Sequence, residues 1–350
     1  MSDKSISKAA LMMLVIVVTV VASYEIYLRN SGANIAYDDG PALWSDIRAQ
    51  VYAPKEEQVV FIGSSRIKYD LDIPTWEAQT GLKAVQLAIV GSCPRPMLED
   101  LANDPDFKGR LVIDVTEPLF FSDLPPYMEN PGKNIKYFHD RSLSQQASFE
   151  LNKVLESQLV FLDKDNFSLN AQLDAMQLES RKGTYSMPIF PRDFQRTEAD
   201  RQTYMTSGFV ADSNQVNTVR GVWAKLLGGP HGPPMTDAQI NAVAVSVKKC
   251  TDKIKKRGGE VIFVRTPSSG PFLMGETMGF PRAKYWDKLL QVTGCDGIHY
   301  ADFPATAGFQ CPEFSHLSRP DAVLFTQAFV DILDQKGWNV KGYNKTHLKT

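Results

Sequence analysis

Short apolar runs alternate with amphipathic segments along most of this chain of 350 residues. The runs are mostly β-branched or aromatic and lack polar alternation, which is typical of strands buried on both faces. They lie at 58–63, 84–90, 110–116, 260–266 and 297–303. Segments with helical spacing lie at 41–51, 74–81, 96–103, 236–257, 282–292 and 320–336. We therefore predict an α/β fold, a three-layer αβα sandwich whose five parallel strands are joined by right-handed crossovers.

This alternation is interrupted between the third and fourth runs. Residues 117–133 contain prolines among aromatic residues and predict a loop over the sheet edge. Helical spacing follows at 141–180, and 183–234 is rich in loop-forming residues. A crossover needs far fewer residues, so we predict a mainly helical and loop-like cap. We place the cap at 118–235 within a domain of 57–336, after a linker with a short helix at 30–56 and before a tail at 337–350.

The N-terminal segment has a different composition. No residue from Ala9 to Tyr24 is charged, and the apolar pattern continues to Arg29, about 20 residues, which is the length a helix needs to cross a bilayer. Lys4 and Lys8 precede this run and favour a cytoplasmic N-terminus. We predict that 1–29 form a cytoplasmic stub and a transmembrane anchor. A signal peptide cleaved near Ala22 is the alternative.

Both alternatives place the body of the protein outside the cytoplasm, in the periplasm or the extracellular space. Glu25 and Arg29 stand four residues apart and could pair at the outer membrane boundary. The net charge of -2 argues against a nucleic-acid partner. The cysteine and histidine spacing is not that of a zinc site. We expect neither a metal nor an organic cofactor.

Polar groups follow the carboxyl ends of the predicted strands, where open α/β sheets place their ligands. Ser64, Ser65 and Arg66 follow the first strand, and Glu313 precedes His316 by three residues after the fifth. Acyl transfer by a serine needs a base and an acid that orients the base. Ser65, His316 and Glu313 can fill these roles. Alone, either serine would be expected to cap the next helix; Ser64 is the rival nucleophile, and Asp302 is the reserve acid.

These residues resemble conserved blocks of the SGNH (GDSL-like) hydrolase superfamily. Gly63-Ser64-Ser65 resembles its Gly-Asp-Ser block, with Ser64 in place of the aspartate. The segment that ends at Gly91 resembles the second block, and Glu313-Phe314-Ser315-His316 is similar to the final Asp-x-x-His block, with glutamate in place of aspartate. The resemblance covers about 57–117 and 258–335. It implies a flavodoxin-like sheet and an oxyanion hole that includes the N–H groups of Ser65 and Gly91.

The chain departs from the third block of that superfamily, where an asparagine completes the oxyanion hole. Thr116 and Glu117 stand there. Thr116 could donate one hydrogen bond, but Glu117 cannot donate while it is ionised. Loss of one such donor typically costs about 3 kcal/mol of transition-state stabilisation. A slow hydrolase, a transferase of different geometry and an inactive relative are all compatible with this departure.

Two arginines and four cysteines complete the candidate residues. Arg66 could orient an acidic or sugar substrate or pair with Asp70, and Arg265 could form a structural ion pair or bind a carboxylate. The cysteines would meet an oxidising compartment. From the layout that the resemblance implies, we expect two disulfides, Cys93 with Cys311 and Cys250 with Cys295.

The resemblance implies a serine-dependent esterase or O-acyl(acetyl)transferase that acts on an acylated glycan or cell-envelope polymer. The anchored layout resembles that of polysaccharide O-acetylation proteins, which act beside membrane-bound O-acyltransferases. The alternative is an inactive subunit that binds glycan or assembles with such a transferase. A phospholipid lipase is a third alternative.

Overall fold

The computed structural model describes residues 3–176, 190–227 and 234–341. Parts of the predicted cap, 177–189 and 228–233, and most of the predicted tail lie outside the described residues, so the end of the predicted helical spacing at 141–180 lies outside them too. The chain divides into two compact units. Unit 1 comprises 1–38 and 142–189, and unit 2 comprises 39–141 and 190–350.

A parallel sheet forms the centre of unit 2. Its five strands are β1 (Gln58–Ile62), β2 (Lys83–Gln86), β3 (Arg110–Asp114), β4 (Glu260–Arg265) and β5 (Asp296–His299), in the order 2-1-3-4-5. The predicted five-stranded parallel sheet is thus confirmed. The strands are shorter than the predicted apolar runs. Some residues after the end of a strand still hydrogen-bond to the neighbouring segment without belonging to the strand. The Ile89 N–H, for example, donates to the Gly63 carbonyl at 3.1 Å.

Alternate residues of the central strands face opposite layers of helices. Val60, Ile62 and Phe263 pack with helices on one face, which are Pro41–Arg48, Arg95–Asn103, Pro125–Asp140, Asp237–Lys256 and Trp286–Thr293. Val59 and Phe61 pack on the other face with Ser65–Asp70, Ile73–Thr80 and Arg319–Gln335. This arrangement is the expected three-layer sandwich.

Shorter elements connect these layers in unit 2. The helices are Glu117–Phe120, Ser207–Ala211, Ser213–Leu227, Gly270–Gly279 and Pro304–Ala307, with 3₁₀ turns at Arg192–Phe194 and Tyr300–Asp302. A small antiparallel ladder joins Arg196–Thr197 to Thr203–Tyr204.

The prediction of a loop at 117–133 is wrong, because Pro125–Asp140 is a helix. Pro125 and Pro126 lie in its first turn, where no intrahelical N–H is needed. Pro131 lies inside the helix and cannot donate to the Tyr127 carbonyl. That carbonyl instead accepts the Cys93 N–H at 2.9 Å, and this hydrogen bond joins the helix to the segment after β2.

Unit 1 contains the N-terminal helix Asp3–Asn30 and the helices Leu143–Glu156, Lys164–Phe167 and Leu169–Ala175, with a 3₁₀ turn at Val160–Leu162. Ser5–Asn30 is long and apolar enough to cross a membrane, with a mean hydropathy of 2.3, as both an anchor and a signal sequence would be. The expected pairing of Glu25 with Arg29 is confirmed at 2.6 Å.

Candidate active site

Glu313 and His316 form a buried hydrogen-bonded pair at the start of the last helix. The His316 Nδ1 lies 2.9 Å from Glu313 Oε1, and the same oxygen accepts the N–H groups of Ser315 and His316. Phe314 makes this tight turn with a φ of 81°, a left-handed conformation that is costly for a bulky residue. With Nδ1 directed at a carboxylate, Nε2 is the nitrogen available to act as a base.

The turn after β1 brings Ser64 and Ser65 to the same edge of the sheet. Gly63 is required there, because a Cβ would lie 2.6 Å from the Asp114 Cβ. The Ser64 hydroxyl points into the interior, 2.8 Å from Thr116 Oγ1 and 3.3 Å from Asp114 Oδ2. No side chain caps the helix that begins at Ser65, so the simple capping interpretation is wrong. Because Ser64 is buried and engaged, Ser65 is the more accessible hydroxyl.

The short helix that begins at Ser65 contacts His316 and the residue after it. Tyr69 lies four residues after Ser65 on the same helical face, and its ring stacks on His316 with a centroid distance of 4.4 Å. Asp70 Oδ1 accepts the Leu317 N–H at 2.9 Å, which ties the same helix to the residue after His316. The helix that begins at Ser65 therefore contacts His316 through Tyr69, and the structure contains no hydrogen bond between the Ser65 and His316 side chains.

Aromatic residues from the predicted cap enclose the histidine, a feature that sequence reasoning missed. The rings of Phe194 and Trp223 lie 5.9 and 6.3 Å from the His316 ring. The Trp223 Nε1–H donates to Glu313 Oε2. His316 is 2% exposed, and its Nε2 has no hydrogen-bond partner among the described residues. Both aromatics lie far from the motif in sequence, and nothing in their local pattern indicates this contact.

The electrostatics of the pair favour an ionised acid. Burial acts to raise the pKa of Glu313, but His316 and the donors around the carboxylate outweigh it, and the pKa is lowered. Burial and the nearby Glu313 charge raise the pKa of Tyr69 well above its usual value, so this phenol stays neutral. The arrangement can thus hold an imidazole whose tautomer is set by a carboxylate.

The predicted oxyanion donors have different surroundings. Gly91 has a φ of 62° and lies two residues after Ile89, whose N–H reaches the Gly63 carbonyl. A backbone N–H at Gly91 is therefore near the turn that carries Ser65. Thr116 is buried, and its hydroxyl bonds to Ser64 and Asp114. The expectation that Thr116 donates to an oxyanion is not supported, because its single hydroxyl proton is shared within this interior network.

Arg66 and Arg265 share one carboxylate. Arg66 Nη2 and Arg265 Nη2 both pair with Glu276, and Arg265 Nε also lies 3.1 Å from Glu117 Oε2. The expected alternative of an Arg66–Asp70 pair is wrong, because Glu276 is the hydrogen-bonded partner. Arg265 directs its donors to protein groups and forms the structural ion pair. Arg66 is 1% exposed, and its Nε and Nη1 have no hydrogen-bond partner among the described residues.

Buried carboxyls beneath the turn were not singled out from the sequence. Burial raises the pKa of Asp70 well above its ordinary value, and it also raises the pKa of Asp114 despite the nearby charge of Arg66. Asp114 ends β3, so its position after an apolar run was the available signal. Asp302, the reserve acid, pairs with Arg282 on the surface at 2.5 Å and belongs to a different region.

The structure contains neither predicted disulfide, since all four cysteines are free thiols. Cys311 packs in the helical layer that contains Phe61. Cys93 Sγ lies 3.6 Å from the Phe120 carbonyl oxygen, and Phe120 packs in the opposite layer. The two cysteines of the first predicted pair thus have different neighbours. Cys250 and Cys295 contact the same layer without a bond between them.

A groove of about 630 Å³ lies elsewhere, between Pro304–Ala307 and the last helix, and shares no lining residue with the Glu313–His316 pair. Among the described residues, no group of His, Cys, Asp or Glu side chains could hold a metal ion.

In comparisons with known proteins, no family model matches this chain, and no curated protein sequence matches it.

Proposed function

We propose that this protein is a serine-dependent esterase or O-acyl(acetyl)transferase that acts on an acylated glycan or cell-envelope polymer outside the cytoplasm. One observation carries the proposal. The His316 Nδ1–H donates to Glu313, Nε2 has no hydrogen-bond partner among the described residues, and the His316 ring stacks on Tyr69 of the helix that begins with Ser65. An oriented imidazole beside an accessible hydroxyl is the minimum arrangement for nucleophilic acyl transfer.

In the proposed reaction, Ser65 Oγ attacks the acyl carbonyl while His316 Nε2 takes the hydroxyl proton. The tetrahedral oxyanion is stabilised by the backbone N–H groups of Ser65 and Gly91. Collapse breaks the ester bond, and the imidazolium returns its proton to the leaving alcohol. Water or a sugar hydroxyl then attacks the acyl-enzyme, giving hydrolysis or transfer. The Ser65–His316 hydrogen bond forms on substrate binding, since such contacts are often long in free enzymes.

The fold and the N-terminal helix support the same proposal. A strand order of 2-1-3-4-5 places the ends of β1 and its neighbours at a topological switch point, where doubly wound sheets bind ligands. This order supports the proposed flavodoxin-like SGNH type. A helix long and apolar enough to span the membrane is compatible with an anchored enzyme. We propose that this enzyme works beside a membrane-bound O-acyltransferase.

A second candidate is an inactive subunit that binds glycan or assembles with such a transferase. Its support is the engagement of the Thr116 hydroxyl by Ser64 and Asp114, which leaves the oxyanion site without a third donor. Such a subunit would keep the fold and the glycan contacts but would not form an acyl-enzyme.

Labelling with a fluorophosphonate separates the two candidates. The proposed enzyme is labelled, Ser65→Ala and His316→Ala are not, and the exposed control Ser207→Ala is labelled normally. Labelling that survives in Ser65→Ala would assign the reactivity to another residue. A folded protein that takes up no label between pH 7 and 9 would support the inactive subunit.

The acyl donor is tested with the purified full chain in detergent. Release of acetate from acetylated polysaccharides, with and without a glycan acceptor, distinguishes hydrolysis from transfer. Faster turnover of long acyl chains than of acetyl esters would instead support the lipase alternative.

A further inference from the structure

One helix of unit 1 carries an uncovered apolar face. Leu143, Leu151, Val154 and Leu155 are 83, 70, 64 and 51% exposed, and they project from one side of Leu143–Glu156. The opposite side contains the half-buried Phe149 and polar residues, of which Asn152 and Glu156 are joined by a hydrogen bond.

A second apolar group lies in the same unit. Leu169, Leu173 and Met176 are 74, 48 and 64% exposed, at a spacing that places them on one side of the chain at Leu169–Ala175. Soluble proteins rarely expose large apolar groups in such number within one small region. The two groups together require a partner.

The N-terminal helix is packed into the same unit. Glu25 accepts the N–H groups of Val160 and Phe161 at 3.0 and 3.1 Å. Leu28, Ala33 and Val160 form a small buried cluster. Val160 follows the end of Leu143–Glu156 by only four residues. The segment that follows the apolar face thus contacts the N-terminal helix near Glu25 and Arg29, where the uncharged stretch of the N-terminal helix ends.

We propose that this face lies in the headgroup region of the bilayer that the N-terminal helix spans. The inference rests on the membrane anchoring of the proposed function, and not on its chemistry. A helix at this boundary buries its apolar side about 5–10 Å into the interface. Unit 1 then binds the membrane through this face.

The composition of the face favours lipid over a protein partner. The hot spots of protein interfaces are enriched in Trp, Tyr and Arg and poor in Leu and Val, whereas Leu and Val make up six of the seven exposed residues named above. The face presents no cluster of Lys or Arg, so its attraction is apolar and needs no anionic lipid. Contact with the bilayer should accordingly persist in neutral lipid and at high salt.

Fluorescence of the full chain in liposomes of neutral phosphatidylcholine tests the proposal. An environment-sensitive fluorophore is attached at Leu151→Cys, with Leu14→Cys in the anchor and Met278→Cys in unit 2 as controls. Met278 is 78% exposed and matches Leu151 in exposure. The background is Cys250→Ser, because the other three cysteines are buried and Cys250 is partly accessible.

At position 151 the emission shifts to shorter wavelength, and lipids with a quencher near the headgroup reduce it more than lipids with a deep quencher. Position 14 responds more to the deep quencher, and position 278 responds to neither. Quenching at 14 without quenching at 151 would overturn the inference and leave the anchoring intact. A shifted but unquenched emission at 151 would assign the face to a protein contact, and an unquenched position 14 would remove the anchoring itself.

Discussion

At the scale of single residues, the site depends on how completely Glu313 is surrounded by donors. Oε1 accepts from the His316 ring and two backbone N–H groups, and Oε2 accepts from Trp223. A buried carboxylate is stable only when its oxygens are satisfied. Trp223 is therefore a positioning residue, since it holds the acid that in turn holds the base.

Trp223→Phe keeps an aromatic ring and removes only the indole N–H. Because a hydrogen bond to a charged group contributes about 1.5–3 kcal/mol, we expect kcat for an acetyl ester to fall about 10-fold with little change in KM. Loss of this donor also raises the pKa of Glu313, so the low-pH limb of the activity profile moves to higher pH. The measurement is a pH–rate profile with p-nitrophenyl acetate.

Trp44→Phe is the matched control for this variant. It also removes a buried indole hydrogen bond, the one from Trp44 Nε1 to the Leu87 carbonyl at 2.9 Å. It should lower stability and leave the pH profile in place. Equal effects of both variants on the profile would mean that Trp223 has only a structural role.

At the scale of elements, the start of the helix Gly270–Gly279 packs against the turn that contains Glu313 and His316. The Ser269 N–H donates to the Phe314 carbonyl at 2.9 Å, and the Cys311 N–H donates to Ser269 Oγ at 2.8 Å. Gly270 has a φ of 52°, and a Cβ there would lie 2.7 Å from the Phe314 ring. The position of the turn thus depends on one glycine.

Gly270→Ala should destabilise the protein by about 2 kcal/mol, since it adds a left-handed backbone cost to an overpacked contact. It should also lower activity, because the Glu313–His316 turn must move. Gly275→Ala in the same helix has open space and should be neutral or stabilising by up to about 1 kcal/mol. Urea unfolding of both variants makes the comparison, and equal stabilities would refute the proposed support.

The same helix carries Glu276, whose charge joins two buried arginines. Burial alone would raise the pKa of Glu276, but Arg66 and Arg265 outweigh it and lower the pKa from 4.5 to about 2. A lowered pKa in the fold means that the carboxylate stabilises the protein above pH 4.5. This stabilisation is lost as the pH falls towards 2.

Glu276→Gln should therefore cost about 3 kcal/mol at pH 7, as expected when one partner of a buried ion pair is removed. The difference from the natural protein should shrink as the pH falls from 5 to 3. Urea unfolding at several pH values measures it. As a control, Glu129→Gln removes an exposed ion pair with Lys133 and should change stability by less than about 1 kcal/mol. If the loss of stability in Glu276→Gln did not depend on pH, the ion-pair account would be contradicted.

At the scale of the whole molecule, the four cysteines are free thiols, whereas the sequence led us to expect two disulfides. Cys93, Cys295 and Cys311 are at most 8% exposed, and burial raises the pKa of Cys93 and Cys311. Such thiols are inert in the folded state. Thiol titration without reductant should find four reactive thiols in denaturant and only Cys250 in the native protein. Loss of two or four thiols in denaturant would show that disulfides form.

The sequence by itself determined the parallel sheet, the apolar N-terminal helix, and the pairing of Glu25 with Arg29. Strand periodicity and i, i+4 spacing are local properties that a chain carries without its fold. It also placed Glu313 and His316 together, because three residues of separation keep an acid within reach of a histidine.

Only the tertiary structure decided which groups surround that pair. Trp223, Phe194 and Glu276 reach the site region from segments about 40 to 120 residues away from Glu313 and His316 in the chain. The proline-rich helix could form because Pro125 and Pro126 occupy its first turn and Cys93 uses the carbonyl that Pro131 leaves free. Side-chain contacts of this kind depend on the packing of distant elements, which no local pattern encodes.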